Sequence, residues 1–424
     1  WLSIQHFTNT PADVDFLFNY LEQKRPTWFG GMAMGPGSPP MELTRNRLPK
    51  QYKLRWYPDI THCLRCQYPV PWMDPALGLT LGREPVNPRP VDYTDIYRMD
   101  YSFTDGFMTY SDGVHDDFNK SLWSQLGWNP MTDPRDVARD YARFFFRPEL
   151  TEEGSDGLFA LESDAKGPLA ENGSIGATLS LWKDLEKRVG TPGSQWRFRM
   201  HLFRAYYAYF TRNRLLYEND IERLALEALS AASKSGVPQA LKNAREILER
   251  AVNRPSDPDL IARLNKFGEE LFKDIGLQTS VPKYNASGSE RGAVLDFLDY
   301  PLNNRWWLED QFERIEKITD PAEQLKQVEI VRNWENPGDR GYYDVIGHVG
   351  KSPRVAKLLM AGDVMRHREQ LPIPTQRWLD VKRNGLRQAW HSYLNRVPSG
   401  IVYNDLDTSS EYIVKLFAHK DSPL

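Results

Sequence analysis

The chain has 424 residues, 40% of them hydrophobic, and a formal net charge of −3. This composition is typical of a folded globular protein of two or three domains, and the charge gives no support for nucleic-acid binding. No apolar run reaches the roughly 20 residues that a membrane span needs. The 13 Trp, 20 Tyr and 19 Phe indicate either a large aromatic core or exposed rings that stack on sugars.

The first 130 residues alternate between strand-like and helix-like patterns. Strands are predicted at residues 1–8, 27–34, 53–57 and 107–110. Helices are predicted between them at residues 11–25, 41–48 and 91–99. This alternation predicts parallel strands, and four such units are half of an eight-fold barrel. Since the first strand begins at Trp1, we expect 1–130 to be the carboxy-terminal part of a (β/α)8-type barrel.

The pattern becomes helical after residue 130, which predicts a large helical domain over 131–390. Its predicted helices lie at residues 136–146, 177–188, 195–218, 220–234, 237–253, 257–275 and 305–333. Alternating apolar residues at 400–403 and 412–417 then predict the start of a small β-domain over 391–424. The expected fold class is therefore α/β plus α, with a short β segment at the end.

The cysteine pattern and the absence of standard catalytic motifs exclude several classes of protein. Cys63 and Cys66 are the only cysteines, so a structural zinc site would lack its second ligand pair. A redox C-x-x-C should open a helix, but the proline-rich stretch 68–71 follows. The chain has no G-x-G-x-x-G, Walker A, H-E-x-x-H or G-x-S-x-G motif. We expect neither a metal nor a cofactor.

The densest polar cluster follows the fourth predicted strand, at residues 110–120. Chemistry in a parallel barrel is carried by the carboxyl ends of the strands, so Asp112 and Asp117 are candidate acids or bases. His115 and Asn119 are candidates for binding substrate hydroxyls. The alternative is structural, because Asp116 and Asp117 would also suit the N-terminal cap and dipole of a helix.

A second cluster follows the third predicted strand, at residues 56–72. A sugar site needs fixed polar groups for hydroxyls and apolar ring faces for the sugar ring. The candidates are Asp59, His62, Arg65, Gln67, Tyr68 and Trp72. Arg83 and Glu84, a little further along, complete the set or pair with each other for structural reasons. A structural pair of Asp59 and Arg65 in a proline-rich loop is the alternative for this cluster.

These motifs resemble those of a poorly characterised group of large bacterial proteins that look like glycoside hydrolases. The resemblance rests on residues 57–62, 67–71, 82–84, 87–90, 110–113 and 116–120, and continues through 167–172, 204–207 and 301–307. It implies a barrel distantly similar to the hexosaminidase and hyaluronidase type, and an exported bacterial protein. The group usually has Glu where this chain has Asp112. Barrels of that type also carry their acid pair after a strand that would precede Trp1, which would leave Asp59 and Asp112 as substrate-binding residues.

The first functional hypothesis is a glycoside hydrolase that acts on an oligo- or polysaccharide. Two carboxyl groups would flank the scissile bond, with Asp112 and Asp59 the first candidates and Asp117 the next. The second hypothesis is a non-catalytic carbohydrate-binding or scaffold protein, whose barrel is completed by another chain or a second copy. A polysaccharide lyase that uses His62 and Tyr68 as base and acid is a third.

Overall fold

The computed structural model of the protein describes residues 1–4, 10–63, 68, 70, 73–81, 84–111, 113–190, 195–288 and 291–333. The small β-domain predicted over 391–424 lies outside the described residues, and so does the end of the predicted helical domain. None of the helices in the described ranges is both long enough and apolar enough to cross a membrane.

A parallel sheet forms the amino-terminal part of the protein. Its strands are β1 (Leu2–Ser3), β2 (Gly31–Met34) and β3 (Lys53–Trp56), in the order β1-β2-β3. Helices α1 (Pro11–Lys24) and α2 (Met41–Arg47) connect them, as parallel pairing requires. The prediction of parallel strands with intervening helices is therefore confirmed for this part of the chain.

The fourth predicted strand, at residues 107–110, runs beside β3 in the same direction. The Met108 backbone N–H donates to the Trp56 carbonyl at 2.7 Å, and the Tyr110 N–H donates to the Pro58 carbonyl at 3.1 Å. Parallel bridges join Trp56 to Phe107 and Asp59 to Tyr110. The described residues thus form an open parallel sheet, with no closed barrel among them.

Helices make up most of the remaining described residues. They are α3 (Pro75–Leu81), α4 (Pro90–Asp100), α5 (Asp117–Trp128), α6 (Pro134–Tyr141), α7 (Thr151–Asp164), α8 (Ser174–Val189), α9 (Trp196–Leu229), α10 (Ala232–Ser235), α11 (Val237–Leu248), α12 (Arg250–Asn253), α13 (Pro258–Ile275), α14 (Val281–Tyr284), α15 (Arg305–Glu316) and α16 (Pro321–Arg332). Several begin at an acidic cap followed by proline; the Asp257 side chain, for example, accepts from the Leu260 N–H.

Several predicted helix boundaries are wrong. The helix predicted at 305–333 ends at Glu316, and a new one begins at Pro321; the helix predicted at 237–253 is likewise divided into α11 and α12. The largest difference lies in α9. The sequence pattern separates a helix at 195–218 from another at 220–234, but α9 continues through this point for 34 residues. The stretch contains neither Gly nor Pro, and its charged side chains pair along the helix. Arg214 pairs with Glu218, and Arg223 pairs with Glu227 one turn further on. Such pairs stabilise a continuous helix.

Two hydrophobic clusters lie on either side of a point near the middle of α9. The larger extends from Ile4 in the sheet region to Leu298, and includes residues of both the predicted barrel region and the predicted helical domain. The smaller is formed by the second half of α9 with α11, α15 and α16. Trp56, Trp123 and Trp182 are almost fully buried, so for these rings the core interpretation of the aromatic content is confirmed.

Candidate functional site

The two polar clusters predicted from the sequence meet at the carboxyl ends of neighbouring parallel segments. Asp59 follows β3, and its bridge to Tyr110 brings the end of the 107–110 segment beside it. The Thr61 hydroxyl donates to the Tyr110 carbonyl at 3.4 Å. Carboxyl ends of adjacent strands open to the same edge of a sheet, which is why residues about 50 positions apart share one site.

A buried histidine links two carboxylates. The ring nitrogens of His62 lie against Asp59 Oδ2 and, at 2.9 Å from Nε2, against Glu84 Oε1. Asp59 Oδ1 also accepts from the Thr61 backbone N–H at 3.1 Å. A histidinium that donates from both nitrogens satisfies this arrangement. Arg291 pairs with Glu84 at the other end of this chain of contacts.

Asp116 is the third carboxyl group of the site. Its side chain is buried, and Oδ2 accepts a hydrogen bond from the Ser111 hydroxyl at 2.8 Å. Thr61 also hydrogen-bonds to it. Burial raises the pKa of Asp116 to about 7, and the negative charge of Asp59 adds to the effect. Near neutral pH the Asp116 carboxyl group is therefore partly protonated, and it lies close to Asp59.

Of the two adjacent acids Asp116 and Asp117, the second is the catalytic candidate predicted from the sequence, and helix capping is the alternative for both. Asp116 lies at the start of α5 without a side-chain capping bond. The short 3₁₀ turn Val114–Asp116 precedes α5, and Asp116 is the buried member of the two adjacent acids.

Asp117 is held by a different set of groups. Its carboxylate accepts from the Tyr141 hydroxyl at 2.8 Å and pairs with the Arg197 guanidinium, where Nη2 lies 3.1 Å from Oδ1. These contacts tie the start of α5 to α6 and α9. They favour the structural interpretation of Asp117, and its catalytic role stays a prediction that the geometry does not support.

Asn119 and Tyr68, both predicted to bind substrate, make structural contacts. Asn119 is buried; its Oδ1 accepts from the Arg89 N–H, and its Nδ2 donates to the Asn87 carbonyl, each at 3.0 Å. The Tyr68 hydroxyl donates to Asp100 at 3.2 Å. Asn119 thus fixes the loop that carries Glu84, while the remaining predicted candidates lie outside the described residues. These are Asp112, Arg65, Gln67, Trp72 and Arg83.

Two half-buried tyrosines border the carboxylates. The Tyr110 ring stacks on the His62 imidazole, with centroids 6.1 Å apart and planes inclined by 15°. The Tyr57 ring lies 6.1 Å from that of Tyr110. Trp56, which also belongs to this cluster of the sequence, is buried against Trp123. Among the described residues, the aromatic rings exposed at this site are therefore those of Tyr57 and Tyr110.

A small cavity that opens to solvent adjoins Glu84. His115, a predicted binding residue, lines it, and so does Arg204 of α9. Arg204 and Arg291 were not among the predicted site residues. Arg291 is 207 positions from Glu84 in the chain, and no spacing rule connects residues that far apart.

Comparison with protein-family models, with curated proteins and with solved structures finds no match for this chain. The described residues contain no group of three or more His, Cys, Asp or Glu side chains arranged to hold a metal ion. Burial raises the pKa of the Cys63 thiol to about 12, which disfavours the thiolate that metal binding or redox chemistry requires. What the site offers chemically is a buried acid of raised pKa next to a hydrogen-bonded chain of Asp59, His62 and Glu84.

Proposed function

We propose that the protein is a glycoside hydrolase acting on an oligo- or polysaccharide, with Asp116 as general acid and Asp59 as its partner carboxylate. The observation that carries the proposal is the pairing of these carboxyl groups through Thr61. Its backbone N–H donates to Asp59 at 3.1 Å, and its hydroxyl bonds to Asp116. The two acids stand at the carboxyl ends of neighbouring parallel segments, where barrel enzymes carry their chemistry.

Hydrolysis of a glycosidic bond needs two carboxyl groups in opposite protonation states. One protonates the leaving oxygen, and the other acts as base or nucleophile. Asp116 meets the first requirement because burial raises its pKa to about 7. Asp59 meets the second because its oxygens accept from two backbone N–H groups and face His62. The raised pKa of Asp116 and the hydrogen bonds that Asp59 accepts give the two carboxyl groups different environments, which supports this assignment of roles.

The surrounding groups fit a sugar substrate. The half-buried rings of Tyr57 and Tyr110 offer apolar faces beside the carboxylates, and such faces stack on sugar rings. His62, held between Asp59 and Glu84, has its ring orientation fixed from both sides. A fixed imidazole orients the carboxylate next to it, and so His62 is proposed as a positioning residue.

We also propose that the parallel sheet is part of a (β/α)8-type barrel like that of the group whose motifs the sequence resembles. Supporting this, Asp59, Glu84 and Asp116 come from three separate motifs of the resemblance, and all three contribute to one site. Further strands would then come from chain outside the described residues, from a second copy or from another protein.

The test is hydrolysis of a panel of aryl glycosides by the parent protein and by Asp116→Asn and Asp59→Asn. Each change should lower kcat by about a hundredfold or more, as loss of acid–base catalysis does. Asp105→Asn is the matched control, because Asp105 adjoins the same strands at their opposite end, where it pairs with Lys53. Its kcat should equal that of the parent.

The remaining outcomes of this experiment would each contradict a stated part of the proposal. Turnover that survives both changes at the site would remove Asp59 and Asp116 from the chemistry. An unsaturated sugar product, seen by its ultraviolet absorbance, would indicate a lyase. Absence of turnover with every glycoside, in a protein that still binds sugars, would favour the non-catalytic binding function.

A further inference from the structure

The turn between the 107–110 segment and α5 is held by hydrogen bonds from both sides. The Ser111 hydroxyl donates to Asp116 Oδ2 at 2.8 Å, and the Gly113 N–H donates to Ser111 Oγ at 3.4 Å. From α5, Lys120 Nζ donates to the Gly113 carbonyl at 2.8 Å. One network therefore connects Lys120, through Gly113 and Ser111, to the carboxyl group proposed above as the general acid.

The conformation of Gly113 gives this turn its shape. Its φ of 152° and ψ of −148° lie in a region that other residues rarely adopt. No atom lies within 4 Å of the position where a Cβ would be, so the backbone requires glycine here and crowding does not. The Lys120 ammonium thus binds a turn whose shape depends on one glycine.

Lys120 also brings a positive charge to the neighbourhood of Asp116. The two residues are four positions apart, and residues at that spacing are neighbours on one face of a helix. Lys120 is half-buried, so its charge is screened less than that of a fully exposed lysine. This charge favours the carboxylate form of Asp116 and lowers the pKa that burial raises.

Other titratable groups also face Asp116. The negative charge of Asp59 raises its pKa. The Cys63 thiol is neutral near pH 7, because burial raises its own pKa to about 12. Lys120 therefore opposes the effects of burial and of Asp59 on the acid. A general acid needs such a balance, since its pKa should lie near the pH at which the enzyme works.

We propose that Lys120 is a positioning residue for the general acid, which anchors the turn at Gly113 so that Ser111 stays on Asp116 and places a positive charge beside that carboxyl group. This inference rests on the function proposed above. When Asp116 gives its proton to the leaving oxygen, it becomes a carboxylate. Lys120 stabilises this anion until a proton from water returns to it. Lys120 thus acts through Asp116 and not on the substrate.

Carbon NMR titration of the Asp116 carboxyl group, whose signal is absent in Asp116→Asn, tests the proposal without turnover. In Lys120→Met the midpoint should move to higher pH, so that the protonated fraction at about pH 8.5 is about twofold larger or more. Lys120→Arg keeps the charge and should titrate like the parent. Lys53→Met is the matched control, since Lys53 pairs with Asp105 at the opposite end of the strands. It should leave the midpoint unchanged.

The pH profile of kcat/KM gives a second readout from the same variants. Its alkaline limb reports loss of the proton from the acid in the free enzyme. This limb should move to higher pH in Lys120→Met and return in Lys120→Arg. Ser111→Ala is a second variant, which removes a hydrogen bond that also favours the carboxylate of Asp116. It should move both the midpoint and the limb in the same direction as Lys120→Met.

A parental midpoint in Lys120→Met, or an equal movement in Lys53→Met, would overturn the proposal. A fall in activity with an unmoved alkaline limb would do the same, because it would reduce Lys120 to a support of the fold. If Lys120→Met does not fold, a parental midpoint in Ser111→Ala would contradict the network. A moved midpoint in a protein that hydrolyses no glycoside would sustain the action of Lys120 on Asp116 and refute only the hydrolase function.

Discussion

Replacement of Asp116 by Asn should change how the stability of the protein depends on pH. The pKa of Asp116 is raised by burial from 3.8 to about 7, so the folded state favours the protonated form more than the unfolded state does. The stability that a protonated Asp116 contributes to the folded state is fully present below pH 3.8 and is lost as the pH rises through 7. Asparagine remains neutral throughout.

The size of the effect follows from the pKa change. A move from 3.8 to about 7 corresponds to about 4 kcal/mol in the free energy of unfolding. Asp116 is 2% exposed, so solvent screening reduces this figure little. Urea unfolding should show that the unfolding free energy of Asp116→Asn, relative to that of the parent, rises by roughly that amount between about pH 4 and pH 8.

Asp105→Asn is the control for this experiment, because the stability contributed by Asp105 changes with pH in the opposite direction. The Leu54 N–H, followed by Lys53, lowers the pKa of Asp105, so its contribution is present above pH 3.8 and is lost as the pH falls. Asp105→Asn should therefore differ from the parent at neutral pH and approach it in acid. A difference between parent and Asp116→Asn that stays constant over the whole pH range would refute the assignment of Asp116 as a protonated buried acid.

Two further predictions concern other buried positions. Burial lowers the pKa of His201 to about 4, so its side-chain nitrogen NMR signals should stay those of neutral imidazole at pH 5. The stability of the protein should fall as the pH drops from 6.5 towards 4. Titration of His201 near pH 6.5 would contradict this. Gly31→Ala should lower the unfolding free energy by about 3 kcal/mol, because the new Cβ would lie 2.1 Å from the Lys53 carbonyl oxygen. Gly173→Ala, with open space around its Cβ position, should be nearly neutral in the same urea titration.

The sequence predicted the parallel sheet and the place of the site for sound physical reasons. Alternating strand and helix patterns require parallel pairing, and β1, β2 and β3 pair in this way. The carboxyl-end rule then selected Asp59 and His62, and the structure links both to Glu84, which came from a separate polar stretch with a structural alternative. Asp59 and His62 could be found from a local pattern because they follow directly from a strand.

The remaining features depend on tertiary structure. Asp116 and Asp117 are adjacent and chemically identical, and only the path of the chain into α5 decides that the first is buried. Arg204 and Arg291 reach the site from α9 and from a later loop. Their place depends on how the helical region packs on the sheet, and a pattern within one segment carries no information about that.

The most direct test of the central claim is to compare two leaving groups in Asp116→Asn. An acid that protonates the leaving oxygen is needed for an alkyl glycoside and is dispensable for a dinitrophenyl glycoside, whose leaving group departs as an anion. Asp116→Asn should therefore lose about a hundredfold or more in kcat/KM on the alkyl substrate and little on the dinitrophenyl substrate. Equal losses on both substrates would contradict the role of Asp116 as the general acid.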